Sequence, residues 1–121
     1  MKFFTAFIAT FVIGAVVIST PSVDNTENLY EGLCVVEFNA NFNKQNSVPW
    51  IESLKDCKGK RVDIASEPQK QIEHKIVVVP TIIIFNEGEE VKRYQANIMM
   101  QLEVDAATIQ NDIDEIIMSD F

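Results

Sequence analysis

The sequence predicts an α/β domain with a four-stranded mixed sheet flanked by helices, in the order β-α-β-α-β-β-α. Three observations lead to this fold class. Apolar runs rich in β-branched residues occupy residues 33–38 and 76–85, and the turn sequence Asn-Glu-Gly-Glu at 86–89 joins two strands. Between the strands, apolar residues recur at helical spacing. Helices on both faces are the compact way to cover such a sheet.

The first strand is predicted over residues 33–38, where apolar character is nearly continuous, as in a strand covered on both faces. Glu37 interrupts this run. A buried lone carboxylate is costly unless it is paired or protonated, so we expect a hydrogen-bond partner such as Lys44 or an asparagine amide. The loop that follows is rich in asparagine: Asn39, Asn41, Asn43 and Asn46.

A helix is predicted after this loop, with Pro49 in its first turn and an apolar stripe at helical spacing. The stripe consists of Trp50, Ile51, Leu54 and Cys57. The Lys-Gly-Lys sequence at 58–60 is typical of a helix C-terminus, because glycine and cations are favoured there. The second strand is therefore expected over residues 61–65.

Two further helices are predicted. A short one, opened by Ser66 and Pro68, extends to Lys75 with Ile72 facing inward, and His74 lies near its end on the surface. The last helix covers residues 105–118. Its apolar stripe is Ala106, Ile109, Ile113, Ile116 and Ile117.

Pro80 divides the most apolar run, because proline cannot donate to a strand ladder. Residues 76–79 are then a loop edge, 81–85 the third strand and 91–95 the fourth. The first two connections are predicted to be right-handed βαβ crossovers, which makes the first three strands parallel. The hairpin at 86–89 makes the fourth strand antiparallel.

Residues 1–20 have the layout of a secretory signal peptide, with Lys2 ahead of an apolar stretch and small residues. An uncleaved N-terminal anchor is the alternative, although the apolar stretch is shorter than the roughly 20 residues that usually span a bilayer. Residues 21–32 form a polar lead with a short helix over 25–31, and residues 33–121 form the domain. We expect export to a periplasm, a secretory lumen or the exterior.

The net charge of −8 disfavours nucleic acid and anionic lipid as partners, since both repel an acidic surface. A membrane is expected as a partner only if the leader stays uncleaved. One histidine and two distant cysteines make zinc or iron–sulfur ligation improbable. We therefore predict no metal and no cofactor.

The order of elements and three local segments resemble the thioredoxin family. Residues 35–38 resemble the strand that delivers its redox motif, 76–81 the segment that contains its cis-proline, and 82–89 its last hairpin. The resemblance covers roughly residues 33–118. It implies a thioredoxin-like fold, a cis bond before Pro80, and a position for Glu37 beneath the second redox cysteine, whose proton the family's carboxylate handles.

The family's C-x-x-C motif is missing. Counted from Phe38, the redox cysteines would fall on Asn43 and Asn46; counted back from Pro49, they would fall on Asn41 and Lys44. Neither pair contains sulfur, and thiol–disulfide exchange needs a thiolate that attacks a disulfide. We expect a degenerate site without dithiol redox activity.

Cys34 and Cys57 are the two cysteines of the chain. They could form a disulfide after export, or lie buried as small hydrophobic residues. The alternative function is accordingly an atypical thiol–disulfide oxidoreductase that uses this pair.

The resemblance also implies that the loop at Val79, Pro80 and Thr81 offers backbone groups to an extended peptide. A second segment could form an adaptable apolar surface beside it or a longer helix packed into the core. That segment is Ile98, Met99 and Met100. The function we predict is a secreted module that binds a protein or an extended peptide, or acts as a scaffold.

Overall fold

The structure, a computed structural model, describes residues 30–120 of the chain. The predicted signal peptide and most of the polar lead, with its helix over 25–31, lie outside the described residues. Within residues 30–120, no helix is long and apolar enough to cross a membrane.

Within residues 30–120, the domain contains four strands and two α-helices. The strands are β1 (Leu33–Asn39), β2 (Lys58–Asp63), β3 (Thr81–Asn86) and β4 (Glu89–Gln95), and the helices are α1 (Pro68–Glu73) and α2 (Ala106–Ser119). Two 3-10 segments, Asn41–Asn46 and Ile51–Ser53, lie between β1 and β2. The strands form one mixed sheet in the order β2-β1-β3-β4, which confirms the predicted sheet and its last hairpin.

The predicted direction of the third strand is wrong. β1 and β2 are parallel, but β3 is antiparallel to β1, with Thr81 opposite Phe38. A parallel third strand would require the connection to travel back along the whole sheet, about 20 Å for six residues of strand. The six-residue α1 rises only about 9 Å, so β3 starts at the end of the sheet where β1 and β2 finish.

The helix predicted after Pro49 is also absent. The connection consists of turns and 3-10 segments, and β2 begins at Lys58, three residues earlier than expected. Gly59 is a strand residue whose missing side chain lets the connection lie on the sheet, since a Cβ there would be 2.0 Å from the Ile51 carbonyl oxygen. The apolar stripe still packs on the sheet, with Ile51 buried and Leu54 half-buried.

Side chains of β1 alternate between two hydrophobic clusters, as the period of a strand requires. One face carries Cys34, Val36, Phe38, Ile83 and Phe85. The other carries Val35, Ile82 and Ile84, covered by Ile51, Ile109 and Ile113. The predicted last helix is confirmed. Its start is capped by Asp105, whose carboxylate accepts hydrogen bonds from the backbone N–H and the hydroxyl of Thr108 at 2.9 and 2.8 Å.

The predicted orientation of helix α1 is wrong as well. Ile72 points outward and is 77% exposed. The aliphatic stem of Lys70 is buried instead, and its ammonium lies 5.3 Å from the centre of the Tyr30 ring. Sequence spacing missed this contact because Tyr30 precedes the predicted domain.

The outer strands are strongly charged. β2 has the sequence KGKRVD and β4 has the sequence EEVKRYQ, and most of their residues are exposed. The inner strands β1 and β3 are almost entirely buried. Charge on outer strands is a common feature of natural sheets, because it disfavours pairing with another strand.

Candidate functional site

An apolar groove lies at the end of the sheet where β1 finishes and β3 begins. Its volume is about 490 Å³. Four parts of the chain form its lining: Ala40 and Phe42 after β1; Ile64, Ala65 and Gln71 after β2; residues 76–79; and Asn97, Ile98 and Met100 after β4. None of these residues carries a charge, which contrasts with the net charge of −8.

One wall of the groove is the loop at residues 76–79, which ends in a cis peptide bond between Val79 and Pro80. Two hydrogen bonds hold the C-terminal end of this loop in place. The buried Thr81 hydroxyl donates to the Val78 carbonyl at 2.7 Å, and the Pro80 carbonyl accepts from the Ala96 N–H at 3.1 Å. Val77, at the outer end of the loop, is 76% exposed.

This wall presents open backbone donors. The Val78 and Val79 carbonyls are engaged by Thr81 and Asn43. The N–H groups of Val77, Val78 and Val79 donate no hydrogen bond to any part of the chain between residues 30 and 120. Backbone N–H groups are strong donors that are normally paired, so these can receive an acceptor from another molecule.

The opposite wall is the loop after β4. Ile98 is 98% exposed, and Met99 and Met100 are exposed beside it. The Asn97 side chain holds this loop: its carbonyl oxygen accepts from the Met99 and Gln101 N–H groups at 2.9 and 3.2 Å. The alternative that this segment forms a longer helix in the core is therefore wrong, and the segment is a surface loop.

Asn43 lies between the two walls and is only 2% exposed. Its amide nitrogen donates to the Met100 carbonyl at 3.2 Å and to the Val79 carbonyl at 3.4 Å. Asn39 and Asn46 bond to the same side chain. The asparagine-rich loop therefore supplies buried side chains that tie separate segments together.

Glu37 is 1% exposed and paired, as expected, but with different partners. It accepts from the Val48 N–H at 2.9 Å and from the Arg61 guanidinium at 2.5 Å. Arg61 also contacts Glu52 at 3.5 Å. Burial raises the pKa of Glu37, although the Val48 amide and Arg61 oppose this effect. The parallel register places Arg61 directly beside Glu37, and without that register the sequence could not single out this partner.

Cys34 and Cys57 lie on different faces of the sheet and are not joined by a disulfide, which was one of the two alternatives that the sequence left open. Cys34 is fully buried and its thiol donates to the Glu31 carbonyl at 3.4 Å. Burial raises the pKa of both thiols, that of Cys57 to about 11. Neither cysteine lines the groove.

His74 is not the surface residue that the sequence predicts. Its ring packs among Tyr30, Phe38 and Phe85 with centroid distances of 5.2–5.3 Å, and its Nε2 is 2.7 Å from the Tyr30 hydroxyl. Burial lowers the pKa of His74. Within residues 30–120, no group of three or more His, Cys, Asp or Glu side chains is arranged to hold a metal ion.

Three of the residues singled out in the sequence, Val79, Ile98 and Met100, line this groove. Asn43 contacts both Val79 and Met100, and Ile98 lies on the rim. Sequence reasoning missed the contribution of Phe42, which is 69% exposed. A large apolar side chain between asparagines in a polar loop is the signal that could have identified it.

Solved structures of similar fold include thioredoxins from several organisms. A mutant thioredoxin from Halobacterium salinarum NRC-1 has a TM-score of 0.61 and 18% identity, covering 80% of this chain and 84% of that one. The Schistosoma mansoni thioredoxin has a TM-score of 0.59 and 18% identity, covering 78% and 87%. The Fasciola hepatica thioredoxin has a TM-score of 0.58 and 19% identity, covering 77% and 89%.

No family model and no curated protein matches the sequence significantly. At identities below one fifth, the structural likeness establishes the fold and leaves activity open. The fold is thioredoxin-like, with helices on a four-stranded mixed sheet.

Proposed function

We propose that this thioredoxin-like chain is an exported domain that binds an extended apolar segment of a partner protein in the groove, without dithiol redox chemistry. The observation that carries this proposal is the groove itself. It is uncharged along its whole lining and is bordered by the open N–H groups of residues 77–79.

The exposed apolar side chains are concentrated at this groove. Large hydrophobic residues that are exposed at or beside it are Phe42, Val77, Val78, Ile98, Met99 and Met100. Single exposed apolar residues are ordinary on a protein surface, but a contiguous patch commonly marks an interaction site. Methionine side chains adapt to differently shaped apolar partners.

The loop before Pro80 favours a peptide in extended conformation. An extended segment placed along residues 77–79 would accept hydrogen bonds from those N–H groups that face it, while its side chains would enter the groove. Strand addition of this kind combines backbone hydrogen bonds with side-chain pockets. A partner segment with aliphatic or aromatic side chains fits an uncharged lining best.

The cysteines support a role without thiol exchange. Attack on a disulfide requires an accessible thiolate, and burial disfavours that form at both Cys34 and Cys57. The two side chains also lie on different faces of the sheet, remote from the groove lining. At the positions that the resemblance assigns to the redox pair, Asn43 and Asn46 supply neither a nucleophile nor a leaving group.

Peptide selection from a randomised display library tests the binding function. We expect enrichment of peptides with consecutive apolar residues, and loss of their binding in Ile98→Asp. The matched control is Ile72→Asp, because Ile72 is similarly exposed but does not line the groove. Equal binding by both variants, or no enrichment at all, would contradict the proposal.

The remaining parts of the proposal have independent tests. An insulin-reduction assay with dithiothreitol as reductant should show no catalysis above the uncatalysed rate; measurable turnover that is lost in Cys57→Ser would instead support the oxidoreductase. Export is tested by N-terminal sequencing of the mature protein from its native host. A new N-terminus near residue 20 is expected, whereas an intact Met1 would favour the anchor.

A further inference from the structure

The walls of the groove come from distant parts of the chain, and one side chain joins them. Val79 belongs to the loop before β3, and Met100 to the loop after β4. Both residues line the groove, and both of their carbonyl oxygens accept from the Asn43 amide nitrogen, at 3.4 and 3.2 Å. The bases of the two loops are joined by the β3–β4 pairing, where Thr81 lies opposite Gln95 and the Ala96 N–H donates to the Pro80 carbonyl at 3.1 Å. Asn43 bridges the loops beyond the end of this ladder.

The orientation of the Asn43 amide is itself fixed by hydrogen bonds. The Asn46 amide donates to its carbonyl oxygen at 2.7 Å, which directs the Asn43 NH₂ group towards the two loops. The NH₂ group also donates to the Asn39 side chain at 3.2 Å, and Asn39 returns a hydrogen bond to the Asn43 backbone carbonyl at 3.1 Å. Three asparagines thus form one connected network.

Few side-chain types could make the hydrogen bonds that Asn43 makes. The Asn43 NH₂ group has two hydrogens for three acceptors, the Asn39 side-chain oxygen and the Val79 and Met100 carbonyls, so at least one hydrogen is shared between two oxygens. A hydroxyl or a thiol has a single hydrogen to donate, and a carboxylate has none. An aspartate of the same shape would place a negative charge against the carbonyl oxygens. Because Asn43 is buried, water cannot easily replace a lost bond.

We infer that Asn43 is the positioning residue of the groove: it sets the distance between the 76–79 loop and the 97–100 loop. Asn46 assists by holding the amide in the required orientation. The consequence for binding rests on the proposed peptide-binding function, whereas the wall distance is a property of the chain without any ligand.

The wall distance can be measured by double electron–electron resonance between nitroxide labels at positions 77 and 98. Both native side chains are largely exposed, so labels there disturb little packing. The labels are attached to Val77→Cys and Ile98→Cys in a Cys57→Ser background; Cys34 is fully buried and should not react. Asn43→Asp should broaden the distance distribution and lengthen its mean, and Asn41→Asp, an exposed control in the same loop, should leave it unchanged.

A second variant covers the case in which Asn43→Asp does not fold. Asn46→Ala removes only the orienting bond and should broaden the distribution to a lesser degree. In the unlabelled proteins, affinity for a fluorescein-labelled peptide from the library selection should fall at least about tenfold in Asn43→Asp, as expected for the loss of more than one buried hydrogen bond.

The outcomes separate the two claims. A longer distance between the labels with unchanged peptide affinity would support the positioning role of Asn43. It would also show that the groove is not the peptide-binding site. An unchanged distance distribution in folded Asn43→Asp, or in Asn46→Ala where Asn43→Asp is unfolded, would overturn the positioning role, whatever the effect on affinity.

Discussion

The two faces of the sheet are covered in different ways. The face of Ile82 and Ile84 lies under the 14-residue α2, whose Ile109 and Ile113 are fully buried. The opposite face has the six-residue α1. Beyond α1 the cover is loop, and the apolar groove remains open. The comparison indicates that a binding surface can arise because a domain covers one face of its sheet incompletely.

The largest effect on the free energy of unfolding is expected on the sheet face that α2 covers. Ile109→Ala should lower the free energy of unfolding by about 2–5 kcal/mol, because it removes a fully buried side chain and leaves a cavity. Urea unfolding followed by Trp50 fluorescence measures this change. A loss below about 1 kcal/mol would mean that α2 packs no more tightly than the groove.

An intermediate effect is expected at the buried carboxylate of β1, Glu37. Glu37→Ala should cost about 1–3 kcal/mol, since the Val48 N–H loses its buried acceptor. Glu37→Gln retains an acceptor and should cost less; Arg61 is partly exposed and can be hydrated in either variant. Equal losses for both variants in urea unfolding would show that the charge, not the hydrogen bond to Val48, is the important contribution.

On the opposite face of the sheet, where His74 packs among aromatic rings, the free energy of unfolding should depend on pH. The pKa of His74 is lowered by burial from an ordinary value of 6.5, so the unfolded chain takes up a proton that the folded chain resists. The stability from neutral His74 is therefore present above about pH 6.5 and is lost as the pH falls through the folded-state pKa.

The control for this effect is His74→Gln, which does not titrate. Its free energy of unfolding should change less between pH 7 and pH 5 than that of the native protein. The raised pKa of Glu37 acts in the opposite sense, with stability present at low pH and lost as pH rises, but it is common to both proteins. Parallel pH profiles would contradict the assignment to His74.

The smallest expected effect is at the groove rim. Ile98→Asp and its control Ile72→Asp should each change the free energy of unfolding by no more than about 0.5 kcal/mol, because both side chains are largely exposed. Thermal unfolding at neutral pH provides the measurement. A large loss in Ile98→Asp would place that residue in the core and remove it from the open surface.

The sequence was sufficient for the elements whose signals are local. β3 and α2 were found from β-branched content and helical spacing, and the hairpin from its turn residues. The helix after Pro49 was predicted wrongly because Trp50, Ile51, Leu54 and Cys57 fit helical spacing. Their burial depends instead on the close approach of the Ile51 backbone to Gly59, which no local pattern reports.

The candidate site was predictable in part of its membership but not in its bonds. The lining residues Ala40, Phe42, Ile64, Ala65 and Gln71 were not expected there. Residues 79–81, the asparagine loop and residues 98–100 were expected at one place because the resemblance supplied the topology. The partners were not: Arg61 for Glu37 depends on strand register, and Asn43 with Met100 depends on how two distant loops close. Both contacts are set by tertiary structure, which spacing along a chain does not encode.

The charged outer strands have a consequence for a protein that also displays an apolar groove. At high protein concentration, sheet edges that are free to pair could join one molecule to the next, and the continued sheet could grow into fibrils. Pairing of β2 or β4 between two copies would remove water from the charged side chains of both strands. These are Lys58, Lys60, Arg61 and Asp63 in β2, and Glu89, Glu90, Lys92 and Arg93 in β4. The charged edges therefore disfavour polymerisation of the sheet. The exposed apolar surface is concentrated at the groove, which has room for one extended segment to bind reversibly.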